Sequence, residues 1–392
     1  MLNTNFPPWP SYTKEESDRV SEILLSNKVN YWTGTETRQF EVEFAEWTGV
    51  SHAIAVANGT VALEMALRAL GIGKGDEVLV SPRTYIASAS CIEIVGAKPI
   101  FVDIDLDSQC IDPEGIERAI TKKTKGIICV HLGGHPCDMS KIMLIASKYQ
   151  IKVIEDCAQA HGASYKDKKV GSIGDIGCWS FCQDKIMTTG GEGGMITTNN
   201  TELWSTMWSY KDHGKSWDLV NKKSLEPGFK WIHTSFGTNL RLTELQSAIG
   251  RIQLGRMDDW NHKRTLNATK ISKAVSDLDI FRMPKVAKDI KHAWYKYYLF
   301  INTNKLNKGW SRQRVISRLN DLGVPCFEGS CPEVYLEEAF KSSINKQEGR
   351  LKNAKLLGET SIMLLVHPTL TNSDIDKTCK SLVEVNKEAL AQ

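Results

Sequence analysis

One lysine in this chain has a setting that an ordinary surface charge does not need. In "GCWSFCQDKIMTTGGEGGM" (177–195) Lys185 follows a short apolar strand and precedes a run of glycines. Glycines at 190–194 let the backbone turn tightly where side chains would collide. That suits an amine aimed at a bound molecule; the alternative is a plain charge on a turn. In "VIEDCAQAHG" (153–162) Asp156 falls at the carboxyl end of a second apolar strand, the edge where open α/β sheets bind ligands. Taken alone, Asp156 reads equally well as a helix N-cap or a turn residue. "ANGT" (57–60) ends one strand and opens a helix, so the amides of Gly59 and Thr60 can face an anion, although an ordinary cap looks the same. Ser180 closes the strand before Lys185, and Tyr85 in "SPRTYIASA" (81–89) offers an aromatic ring just past another strand.

As a set, these residues match one chemical need. A pyridoxal phosphate enzyme uses a lysine that links to the cofactor and an acid facing the pyridinium nitrogen. It also needs a phosphate cup of helix amides and hydroxyls, and a ring stacked on the cofactor is a common further part. Lys185, Asp156, Gly59 and Thr60 with Ser180, and Tyr85 would supply these four parts.

The elements that must position them follow from hydrophobic periodicity. "HAIAVAN", "EVLVSP", "PIFVDID", "KGIICVHL" and "KVIEDCA" are apolar throughout and separated by single helices. Such strands imply an α/β fold with a mostly parallel central sheet flanked by helices. "CWSFC" and "GMITTN" read as two further, close strands. Residues 203–260 are helical in pattern, with a polar interruption at "KKSLEPGFKWIHTSFG" (222–237). Thr13 and Glu16 stand at capping-box spacing, so residues 1–25 form an N-terminal arm and helix. Beyond residue 260, "YKYYLFI" and "RQRVISRLNDLG" predict short strands and amphipathic helices. The chain therefore divides into a large α/β domain at 1–260 and a smaller α+β domain at 261–392.

Composition excludes several classes. A net charge of +3 leaves no basic excess for nucleic acid. Ten cysteines without a CxxC pair, several of them inside apolar runs, argue against an oxidising compartment and against structural zinc. The N-terminus is not signal-like, and no run of about 18 apolar residues occurs, so a cytoplasmic protein without a membrane segment is expected. "GIGKGDEV" (71–78) lacks the order of a phosphate loop and reads as a turn. His131 and His135 in "HLGGHP" are four apart, but the glycines and proline argue against a metal-binding helix, and no metal is expected. No GxGxxG follows the first strand, so the nicotinamide fingerprint is missing.

Three ordered stretches carry a resemblance: "ANGTVALEMALRALGIGKGDEVLVSPRTYIASA", "KVIEDCAQAHGASYKDKKVGSIGDIGCWSFCQDKIMTTGGEGGM" and "HTSFGTNLRLTELQSAIGRIQL". They resemble the DegT/StrS-type nucleotide-sugar aminotransferases, pyridoxal-phosphate enzymes of fold type I in the aspartate aminotransferase superfamily. The likeness runs from about residue 15 to 260 and more faintly to "LLVHPTL". It implies that Lys185 is the Schiff-base lysine and Asp156 the pyridinium partner. Gly59, Thr60 and Ser180 would hold the phosphate, Gln159 would lie near the cofactor's hydroxyl edge, and Tyr85 would stack on the ring. Asn239, in "TNLRLTE", would reach the phosphate of the neighbouring subunit, which implies a homodimer with shared sites. Two departures stand out. Cys182 occupies the position after "SF" where relatives often carry histidine, and "TTGGEGG" has a double glycine where many have one.

The resemblance also implies the reaction. L-glutamate would give its amino group to the cofactor, leaving pyridoxamine phosphate, which would aminate a nucleotide-linked keto sugar. That sugar is most often a 4-keto-6-deoxyhexose, with UDP-2-acetamido-4-keto-2,4,6-trideoxyhexose as one candidate, and the amino sugar would serve surface glycan or glycoprotein synthesis. Lys211, His213, Lys215, Trp231, Arg241 and His367 are candidates for substrate contacts, with solvated surface or packing as the alternative for each. Amination of a 3-keto sugar, or a regulatory protein that keeps the fold and cofactor, are the competing readings.

Overall fold

The computed structural model describes residues 5–222, 229–341 and 347–390. Part of the polar interruption expected at 222–237 therefore lies outside the described residues. Helices α1 (Lys14–Ser26) and α2 (Glu36–Thr48) lead into an alternation that runs β1 (His52–Val56), α3 (Gly59–Ala69), β2 (Glu77–Val80), α4 (Ala87–Ile94) and β3 (Lys98–Phe101). It continues through α5 (Pro113–Ala119), β4 (Thr124–Val130), α6 (Met139–Tyr149) and β5 (Lys152–Asp156). The capping box at Thr13 and Glu16 forms as its spacing predicts. Two short strands, β6 (Ser164–Tyr165) and β7 (Lys168–Lys169), precede β8 (Ile176–Ser180) and β9 (Gly194–Thr198).

Seven of these strands make one sheet, in the order β1-β9-β8-β5-β4-β2-β3. Pairing is parallel from β8 through β5, β4 and β2 to β3, and antiparallel where β9 inserts between β1 and β8. Side chains such as Ile54, Val80, Ile128 and Ile154 are wholly buried. Burial on both faces is why these strands read as continuous apolar runs rather than alternating ones. The carboxyl ends of the parallel strands, with the turn into α3, form the edge on which the site is built.

The chain then passes through α7 (Thr201–Lys211), α8 (Trp217–Asn221), α9 (Glu244–Gly255) and α10 (Met257–Val275). Helix α10 runs unbroken through residue 260 into the second half. There β10 (Phe281–Arg282), β12 (Tyr297–Ile301), β13 (Cys326–Phe327) and β14 (Ser361–Leu364) make a four-stranded sheet, while β11 (Ile290–Lys291) pairs with β6 instead. Helices α10, α11 (Arg312–Asp321) and α14 (Asn372–Ala389) pack with that sheet around Leu299, Val315, Leu319 and Leu382. Helix α12 (Glu338–Lys341) and the residues just before it return to the first half, where Val334, Tyr335 and Phe340 join its core, and α13 (Lys352–Thr360) precedes β14. Among the described residues no helix is long and apolar enough to cross a membrane, and all ten cysteines are free.

Candidate active site

The sheet edge opens on a cavity of about 600 Å³, and Gly59, Thr60, Tyr85, Asp156, Gln159, Ser180 and Lys185 all line it. At one wall Asn58 caps α3, its Oδ1 accepting the Val61 N–H at 3.0 Å. The first amides of a helix have no partner within it, and here Gly59 and Thr60, at that helix start, line the cavity. A Cβ on Gly59 would come 2.7 Å from Ser180 Cβ, and one on Gly194 would come 2.5 Å from the Asn58 carbonyl carbon. The two glycines thus let the helix start press against β8 and β9, bringing amides and a hydroxyl together as a cradle for a phosphate-sized anion.

Asp156 ends β5 at 6% exposure. Its carboxylate accepts the Ser88 hydroxyl at 2.7 Å and the Ala158 N–H at 3.1 Å. Because Ser88 donates to Asp156, the Thr84 hydroxyl, 2.7 Å away, donates to Ser88. Burial pushes the Asp156 carboxyl above its ordinary range, while these hydrogen bonds and the charge of Lys185 pull it back. A carboxylate in this condition is best matched by a cation delivered into the cavity. Gln159 Oε1 accepts the Gly133 N–H at 2.8 Å, which leaves its NH2 group to donate elsewhere.

Lys185 follows β8 with its side chain 16% exposed and Nζ 3.3 Å from Asp184 Oδ1. Its backbone carbonyl accepts the Trp9 indole N–H at 2.8 Å, so the N-terminal arm ties down the turn that carries it. Gly190 and Gly191 take φ of 85° and 124°, backbone that a side chain would strain. An amine, a buried acid in need of a cation and an anion cradle fit pyridoxal phosphate as a group.

The DegT/DnrJ/EryC1/StrS aminotransferase family matches residues 10–383. The chain belongs to that family. A structure of an aminotransferase from Psychrobacter cryohalolentis is 56% identical with a TM-score of 0.96, covering 98% of this chain and 99% of that one. GDP-perosamine synthase of Escherichia coli O157:H7 is 37% identical over 96% of both chains. The dTDP-3-amino-3,6-dideoxy-alpha-D-galactopyranose transaminase of Aneurinibacillus thermoaerophilus is 38% identical over 85% of this chain and 87% of its own. This DegT/DnrJ/EryC1/StrS protein is thus a pyridoxal-phosphate aminotransferase of fold type I.

The candidate substrate residues of the aminotransferase divide. Lys211 is fully buried, with Nζ 3.0 Å from Glu41 Oε1 and 4.3 Å over the Tyr31 ring, and it does not line the cavity. His367 is likewise turned inward at 4% exposure, bonded to Thr369 and stacked on Trp9, and burial lowers it to about 3; it does not line the cavity. Lys215 and Arg241 converge on Asp212 at 3.0 and 2.5 Å. His213, Trp231 and Asn239 are exposed, and none of them lines the cavity of its own chain.

His131 and His135 part company, as the glycines between them require. His131 bonds to Glu155 at 3.0 Å and His135 to the Pro136 carbonyl. Sequence reasoning missed Ser88, Thr84, Asp184, Tyr295 and Trp9. Their contacts join segments distant along the chain, and no local motif announces them.

Proposed function

We propose that this protein moves the amino group of L-glutamate to a nucleotide-linked keto sugar, using pyridoxal phosphate as carrier, and that it acts as a cytoplasmic homodimer. The observation that carries the reading is the one cavity in which Lys185, Asp156 and the Gly59, Thr60 and Ser180 cradle meet. When bound, pyridoxal phosphate supplies a carbonyl that takes up the amino group and a ring that draws electrons from the donor's α-carbon. The Gly59 and Thr60 amides and the Ser180 hydroxyl bind the phosphate. Asp156 holds a proton on the ring nitrogen, and that charge in turn relieves its own burial. Tyr85 covers a ring face from the cavity mouth, and the Gln159 NH2 donates to the hydroxyl edge. Lys185 Nζ would accept the proton from the donor's α-carbon and deliver it to the cofactor's former carbonyl carbon. With the keto sugar, the same residues would hold the same positions for the reverse proton transfer.

The nucleotide-sugar acceptor is supported by the names of the relatives. We read it as a 4-keto-6-deoxyhexose, with the UDP-linked 2-acetamido sugar as the candidate within that class, feeding surface glycan or glycoprotein synthesis. A 3-keto sugar is the second reading, favoured by the A. thermoaerophilus transaminase, whose product carries its amine on C3. The homodimer, with Asn239 reaching the partner's phosphate, is supported by the exposure of Asn239 and of Trp231 and Phe236, which are 84% and 101% exposed in the single chain.

The test is the absorption spectrum of the cofactor-loaded protein before and after L-glutamate, for wild type and Lys185→Ala. Wild type should show a visible band that glutamate removes and a nucleotide keto sugar restores; Lys185→Ala should not turn over. A band indifferent to glutamate, or normal turnover by Lys185→Ala, contradicts the reading.

A further inference from the structure

If Lys185 attaches the cofactor as read above, its amine leaves and returns in every cycle and needs a defined place in between. We propose that Asp184, braced by Tyr295, is the seat of the freed Lys185 ammonium, and so a positioning residue that sets the balance between attached and unattached cofactor. The inference rests on the assignment of Lys185.

The contacts are direct. Lys185 Nζ lies 3.3 Å from Asp184 Oδ1 and 5.4 Å over the Tyr295 ring. Asp184 Oδ2 accepts a short hydrogen bond from the Tyr295 hydroxyl, and Tyr295 is itself only 7% exposed. Tyr295 comes from the bend just before β12, 111 residues away, so the carboxylate is held from outside its own turn. Behind it stand two further cations. Arg264 is buried with Nε and Nη2 unbonded among the described residues, and burial lowers Lys296 to about 8, with Arg264 and Lys185 adding to the fall. In that company the Asp184 carboxylate is what an ammonium at Lys185 can pair with. Partial desolvation raises the half-exposed Asp184 carboxyl, but Lys185, Tyr295 and Lys296 outweigh it and hold the group below the ordinary carboxylate range.

Attachment removes this pairing. The ammonium gives up one proton to solvent, the amine nitrogen bonds to the carbonyl carbon, and the carbonyl oxygen leaves as water. Pyridoxamine phosphate has no carbonyl and binds without disturbing the pair. The two cofactor forms should therefore respond differently to loss of the Asp184 charge.

The experiment is equilibrium dialysis of the cofactor-free protein against pyridoxal phosphate and pyridoxamine phosphate separately. Wild type, Asp184→Asn and Asp184→Ser are compared, each also in a Lys185→Ala background. Asparagine keeps an oxygen for the Tyr295 hydroxyl, so the fold is spared. The Asp184 side chain is 56% exposed, which keeps the ion pair modest. The expected effect is a rise of about two- to fivefold in Kd(pyridoxamine phosphate)/Kd(pyridoxal phosphate) in both Asp184 variants. In the Lys185→Ala background the ratio should not respond to Asp184. Equal changes in both constants, or a shift that persists without Lys185, would overturn the proposal. Failure of the underlying assignment looks different: borohydride would then fail to trap pyridoxal phosphate on Lys185 in wild type.

Discussion

Replacing Gly59 by alanine separates a cofactor cradle from an ordinary helix cap. Backbone conformation is no obstacle, since Gly59 is not among the positive-φ glycines. The new Cβ would lie 2.7 Å from Ser180 Cβ and 3.1 Å from its Cα. Contacts this short against main chain push α3 and β8 apart, and such overpacking costs about 1–3 kcal/mol. Alanine in place of a helical glycine returns about 0.5–1 kcal/mol. The net loss of about 0–2.5 kcal/mol is small beside the 5–15 kcal/mol typical of a folded domain, so the variant should fold. The effect on the cofactor is larger. The Gly59 amide and Ser180 hydroxyl must converge on one phosphate, and misaligning one hydrogen bond to a charged group loses about 1.5–3 kcal/mol. That is about 10- to 100-fold in Kd. Titration of cofactor-free protein with pyridoxal phosphate, followed by absorbance, reads this directly, with calorimetry to confirm the fold. A variant that folds and binds pyridoxal phosphate like wild type would refute the cradle.

Two further outcomes are expected. Burial raises the Asp156 carboxyl, so the cofactor-free chain loses stability as pH climbs from the unfolded value of about 4 through the raised one. Asp156→Asn should then be at least as stable as wild type at pH 7, the difference should vanish below about pH 4, and the half-reaction with glutamate should fall about 100-fold or more; a lower melting temperature at pH 7 contradicts the sign. Lys211→Ala strands Glu41, whose Oε1 otherwise accepts Lys211 Nζ at 3.0 Å and the Ala55 N–H at 2.9 Å. Denaturant titration should show about 3–5 kcal/mol lost with KM for the sugar unchanged in the folded fraction. Unchanged stability with a raised KM would return Lys211 to the substrate site.

Much of the site was legible because its parts are local. Asn58, Gly59 and Thr60 are a strand end and a helix start within a few residues. Asp156 and Lys185 each follow an apolar run whose burial makes it readable. The substrate candidates were not legible in this way. Lys211 and Lys215 look alike in the sequence, yet one is fully buried against Glu41 and the other pairs with Asp212 at partial exposure. A long flexible cation carries no local signal of where its charge will go, because that depends on which helices pack beside it.

The sequence by itself determined the α/β alternation, the wholly apolar strands and the glycine-lined turns that bring an amine, an acid and helix amides to one sheet edge. These rest on backbone geometry and on burial of neighbouring side chains, which act over a few residues. Only the tertiary structure decided that β9 inserts antiparallel between β1 and β8, that Ser88 and Thr84 brace Asp156, and that Tyr295 braces the carboxylate beside Lys185. It also decided that Trp9 ties down the Lys185 turn from 176 residues away. Those are pairings of polar groups across the chain. A hydroxyl, indole or carboxylate can satisfy itself with many partners, so the choice is made by the packing that removes water from between them.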